Sequence, residues 1–123
     1  MSRFPLDLRF GGLVITTDAV AGTYLVSTVI AAPGAGNRLR IWQVGISPYD
    51  IYNVIPQKLY ANWQSGGINL WGQSIIGSVL VPMVNNIPGG FHLTTNSALA
   101  LFHGDNVASQ KYYAWAHYTT EPV

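Results

Sequence analysis

The sequence predicts an all-β domain, an antiparallel sandwich or barrel of eight or nine short strands. Three observations carry this. No stretch holds a 3.6-residue apolar period long enough for an amphipathic helix. The apolar segments are short and rich in Val, Ile, Thr, Tyr and Trp, residues that pack well on a pleated surface. Clusters of Gly, Pro and Asn interrupt them at the spacing of turns between strands.

In chain order, Met1–Gly12 reads as an extended arm in which Phe4, Leu6, Leu8 and Phe10 alternate with Pro5, Asp7 and Arg9. An extended chain with that alternation presents one apolar row to whatever it docks against. Arg3, Phe4, Leu6, Leu8 and Phe10 are therefore candidate inter-subunit contacts. Removing the arm is expected to leave the sandwich domain, residues 13–123, intact.

Leu13–Thr17 and Gly22–Ala32 are β-branched strands, the second ended by the turn Pro33-Gly34-Ala35-Gly36-Asn37. Arg38–Ser47 follows, and a loop over Pro48–Pro56 leads to Lys58–Gln64, where Leu59, Ala61 and Trp63 share a face. Ser65-Gly66-Gly67 turns the chain into Ile68–Gly72. Ser78–Val84 is an edge or ending strand because of Pro82, and Asn85–Gly90 is a turn before Phe91–Thr95. Asn96-Ser97 breaks the chain again before Ala98–His103. A loop over Gly104–Gln110 joins that strand to Lys111–Thr120. Pairing across this loop would set His103 opposite Lys111 and His117 opposite Ser97.

The 123 residues fit one domain and contain no Cys, which removes disulfides and thiolate metal sites. Charge is the unusual quantity. Asp, Glu, Lys and Arg make up 9% of the chain, against about 25% in an average soluble domain. Between Lys58 and Asp105 lie 46 residues without a formal charge. Free-standing domains resist self-association with mixed surface charges. This surface must instead rely on Asn, Gln, Ser, Thr and Tyr, or be covered by neighbours. The apolar run Ile75–Val84 is well short of the ~20 residues of a spanning helix. Met1–Asp7 lacks the apolar core of a signal peptide. The expectation is a chain that neither crosses a membrane nor is exported. A net charge of +1 gives no basic stripe for nucleic acid.

Catalytic, metal and cofactor motifs are not found. His103, Asp105, Ser109 and His117 form the tightest grouping. With six positions between the two histidines in the expected pairing, they would stand roughly 20 Å apart, too far to share a metal. His92 has no partner nearby in sequence, and Asp7, Asp18, Asp50, Asp105 and Glu121 are scattered over arms and loops. No catalytic residue, cofactor or metal ligand is assigned, and the chain is expected not to be an enzyme. Trp42, Trp63, Trp71 and Trp115, with seven Tyr and four Phe, suit a core or a protein interface. A platform for sugar rings is the other use of such side chains when Asn or Gln stand beside them.

Three blocks resemble a known group. A β-rich run before Pro33-Gly34 leads to Gly36-Asn37-Arg38-Leu39-Arg40-Ile41, and Lys58–Gly72 is a hairpin with a Ser-Gly-Gly turn. Gly89-Gly90-Phe91-His92-Leu93-Thr94-Thr95, then Ala98-Leu99-Ala100-Leu101, then Tyr112–Tyr118 complete the pattern. In that order they resemble the small jelly-roll decoration, or cement, proteins of tailed bacteriophage virions. Asn96-Ser97 stands where that group carries Gly, and Pro48–Pro56 reads as an insertion. The resemblance implies a jelly-roll sandwich of about eight strands, without enzymatic chemistry, on the virion. The capsid surface is its expected place in preference to the tail. Its partners would be copies of itself, possibly as a trimer, and major capsid or tail proteins. The alternative is a receptor- or carbohydrate-binding module of a tail or host-recognition structure.

Overall fold

Among the described residues the chain forms eight strands: β1 (Arg9–Thr16), β2 (Tyr24–Ile30), β3 (Asn37–Pro48), β4 (Gln57–Ser65), β5 (Ile68–Gly77), β6 (Met83–His92), β7 (Leu99–Asp105) and β8 (Lys111–Pro122). The computed structural model describes residues 7–16, 24–48, 57–77, 83–105 and 111–123. One sheet has the order β1-β8-β3-β6 and the other β2-β7-β4-β5. Every pairing is antiparallel. Apart from the β4–β5 hairpin, each strand lies in the opposite sheet from the one before it, so the chain wraps as a jelly-roll-like sandwich.

The period-2 pattern fills the space between the sheets. Leu39, Ile41, Val44 and Ile46 of β3 point inward beside Tyr112, Ala114 and Ala116 of β8. Ala61 and Trp63 of β4 meet Leu99 and Leu101 of β7 from the other sheet, and Trp63 is the largest fully buried side chain. Ala61 and Trp63 thus share a face as expected, and that face points inward. Ser65 pairs with Ile68 across Gly66 and Gly67, whose φ angles are 59° and 79°. A two-residue hairpin loop with φ positive at both central positions is the type I′ geometry that glycine favours.

β3 changes parity once. Its register against both β6 and β8 slips between Ile41 and Gln43, so Trp42 has no partner residue on either side. A bulge of this kind places two successive side chains on one face. Leu39 and Ile41 therefore stay inward, Val44 and Ile46 stay inward, and Trp42 and Gln43 both lie outside the core.

Three expectations change. The arm was to end at Gly12, but Arg9–Gly12 is half of β1 and pairs with Tyr118–Trp115 of β8. The boundary between arm and domain therefore does not lie at 12/13. Deleting residues 1–12 would cut a sheet strand instead of freeing a clamp. Arg3, Phe4 and Leu6 lie outside the described residues. Second, Asn85–Gly90 is not a turn but part of β6, with Asn85 and Asn86 opposite Val44 and Gln43. Ile87–Gly90 bulges out opposite Trp42, which an edge strand tolerates because one side has no ladder to break. Most of the expected strand Ser78–Val84 lies outside the described residues. Third, β7 and β8 do not pair. β7 sits between β2 and β4, whereas β8 sits between β1 and β3. A turn signal does not say whether the next strand returns to the same sheet or crosses to the other one.

Candidate functional site

The outer face of the β1-β8-β3-β6 sheet is built in rows. In one row, Phe10 of β1, His117 of β8, Gln43 of β3 and Asn86 of β6 stand side by side. In the next, Gly12, Trp115, Gly45 and Val84 do so. Beyond it come Val14, Tyr113 and Ser47. None of these side chains is an acid, a lysine or an arginine.

Two glycines decide how the aromatic rings lie. A Cβ on Gly45 would stand 2.2 Å from the Trp115 indole, and one on Gly12 would stand 2.8 Å from the Tyr113 hydroxyl. Trp115 and Tyr113 are thus laid down onto the sheet in the space where neighbouring side chains would be. Glycine inside a strand weakens it and often marks such a close approach. Phe10, 54% exposed, adjoins the Tyr113, Trp115 and His117 rings at centroid distances of 6.4, 6.1 and 5.1 Å, respectively. Trp115 meets His117 edge-on at 5.8 Å. The result is a continuous aromatic floor.

Trp42 stands at its margin, and two contacts hold it. Its Nε1–H donates to Thr119 Oγ1 at 3.1 Å, and the Arg40 guanidinium lies 4.3 Å from its ring centroid. Arg40 is itself held, by Nε–H to the Gly89 carbonyl at 2.9 Å and by Nη1–H to Glu121 Oε1 at 3.2 Å. Its Nη2–H also donates to that carbonyl, so the guanidinium spans the β6 bulge. Glu121 also binds His92 Nε2 at 2.9 Å and has Arg38 Nε at 3.7 Å, the latter a charge contact and not a hydrogen bond. Beside Trp42, Gln43 Nε2–H donates to Asn86 Oδ1. Leu8, Trp42, Gln43, Asn86 and His117 line an open depression of about 310 Å³.

No known family, curated protein or solved structure matches this chain. The reading of the site therefore rests on its geometry.

The candidate residues from the sequence are dispersed. Leu8 and Phe10 are exposed on the outer face just described. His117 lies on that face, His92 at the Glu121 cluster, and His103 between the sheets at 1% exposure. His103 and His117 thus occupy opposite sheets instead of standing six positions apart in one ladder. His103 Nε2 is 2.9 Å from Ser27 Oγ, and its Nδ1 has no hydrogen-bond partner. Burial lowers its pKa from the ordinary 6.5 by penalising the imidazolium. Among the described residues no three His, Cys, Asp or Glu side chains come together. The flat-lying rings were missed in the sequence, although Gly12 and Gly45 inside β-rich segments were the available signal.

Proposed function

We propose that the chain is a non-enzymatic assembly protein, a decoration or cement component of a virion. It would act through contacts with copies of itself and with capsid or tail proteins. The observation that carries this reading is the flank formed by β1 and β2. Both are edge strands, one in each sheet, and they touch each other. Phe10, Val14, Tyr24 and Val26 project from them at 41% to 61% exposure. Arg9 is the single charged residue in the two strands.

Edge strands carry unpaired N–H and C=O groups, and proteins blunt them with charge, proline or bulges. β6, an edge on the other flank, has those devices in Pro88 and the Ile87–Gly90 bulge. The β1/β2 flank lacks proline, and Arg9 is its only charge. β2 has a register shift between Thr28 and Ile30, whereas β1 pairs with β8 without interruption, and an apolar edge of that length suits strand addition from a neighbouring subunit. The low overall charge supports the same reading, because a covered surface needs little charge for solubility. To test the virion role, an antibody to this chain is applied to intact particles from the source, followed by electron microscopy. Label at regular positions on the shell is the expected result, and particles without label would refute the virion role.

A further inference from the structure

We infer that the depression beside Trp42 is a binding site for a neutral saccharide, adjoining the subunit contacts at the β1/β2 flank through Phe10. Four features point to this ligand class. First, the described lining residues are aromatic, imidazole, amide and aliphatic, with no acid, lysine or arginine among them. That composition suits a polar but uncharged ligand. Second, the amide pair is arranged for hydroxyl groups. Gln43 donates through Nε2 to Asn86 Oδ1, a bond that uses neither the Gln43 carbonyl oxygen, an acceptor, nor the Asn86 amino group, a donor. A sugar hydroxyl, which both donates and accepts, is the natural complement to such a pair.

Third, Trp42 is fixed before any ligand arrives. The Thr119 hydrogen bond and the Arg40 stack hold it, and Glu121 and the Gly89 carbonyl hold Arg40 in turn. A sugar ring would then find a planar apolar surface without the entropic cost of ordering it. Fourth, His117 joins the depression to the Phe10–Trp115–Tyr113 floor, which lies on the sheet because Gly12 and Gly45 leave room. An extended oligosaccharide could follow that floor past the first sugar unit. The volume of about 310 Å³ is at the lower end of the ~300–1,000 Å³ of small-ligand sites. That fits one ring bound in a shallow site.

The test is isothermal titration of the full chain with cellohexaose, chitohexaose, maltohexaose and mannohexaose, with sialyllactose as the acidic comparison. At least one neutral probe is expected to saturate with a Kd below about 1 mM. Gln43→Ala and Asn86→Ala should each weaken it by roughly tenfold, the loss of one well-placed hydrogen bond. Both side chains lie on the outer face, so the melting temperature of each variant should stay within a few degrees of the parent. Trp42→Ala should remove binding. Failure of every neutral probe to saturate, preference for sialyllactose, or unchanged affinity in both amide variants would each overturn the assignment. So would a change in sedimentation of Gln43→Ala and Asn86→Ala without any loss of sugar binding, since that marks a protein contact.

Discussion

His103 makes the fold sensitive to mild acid. The side chain is 1% exposed, between the sheets, with Ser27 Oγ on Nε2 and nothing on Nδ1. Burial penalises the charged ring, so its folded pKa lies below the ordinary 6.5. A histidine with a depressed folded pKa binds fewer protons folded than unfolded, so stability is full above the unfolded pKa. It then falls as pH drops from about 6.5 toward the folded value, with a limiting slope of about 1.4 kcal/mol per pH unit. If the folded ring stays neutral throughout, the loss from pH 7 to 5.5 is about 1.3 kcal/mol, which is an upper bound. Urea denaturation of the parent and of His103→Gln, at one protein concentration and a series of pH values, measures it. The variant keeps a group able to bond Ser27 but does not titrate in this range. Its stability should therefore fall less between pH 7 and 5.5. Equal slopes in the two proteins would show that His103 is protonated in the fold at no cost.

Other outcomes follow from packing. Trp63→Ala, at a site with 0% exposure, should cost about 3–5 kcal/mol in denaturant unfolding, because the sandwich cannot close the void. Gly45→Ala would drive a methyl into the Trp115 ring. It should destabilise by about 1–3 kcal/mol and shift the tryptophan fluorescence as the indole lifts off the sheet. Deleting residues 1–12 should lower the melting temperature, because it removes half of the β1–β8 ladder. An unchanged melt would restore the reading of that segment as a detachable arm.

How much of this was legible beforehand depended on the range of the interaction. The β4–β5 hairpin was readable because Gly66 and Gly67 specify their own turn, and alternation placed Ala61 and Trp63 on one face. Pairing between β7 and β8 was expected and is wrong, because sheet membership depends on the other six strands and not on the connecting loop. Gly89 and Gly90 gave a turn signal, yet their positive φ values shape a bulge within an edge strand. The outer face combines residues from four strands far apart in sequence. Its aromatic content was visible, but not that Trp63 would be buried while Trp42 and Trp115 stayed outside the core. The Trp42 bulge, which sets that division in β3, comes from two registers that only the sheet as a whole fixes.

The central claim, that the β1/β2 flank is a subunit contact, is tested most directly by sedimentation velocity of the parent chain and of Val26→Lys. Val26 is 61% exposed and pairs with Phe102 in the β2-β7-β4-β5 sheet, so the lysine can reach solvent in a monomer without disturbing the core. At tens of micromolar the parent should sediment as a defined oligomer. A charge buried without a partner at that contact should cost several kcal/mol, so Val26→Lys should sediment as a folded monomer. A parent that is monomeric at that concentration, or a variant that assembles as the parent does, would contradict the account.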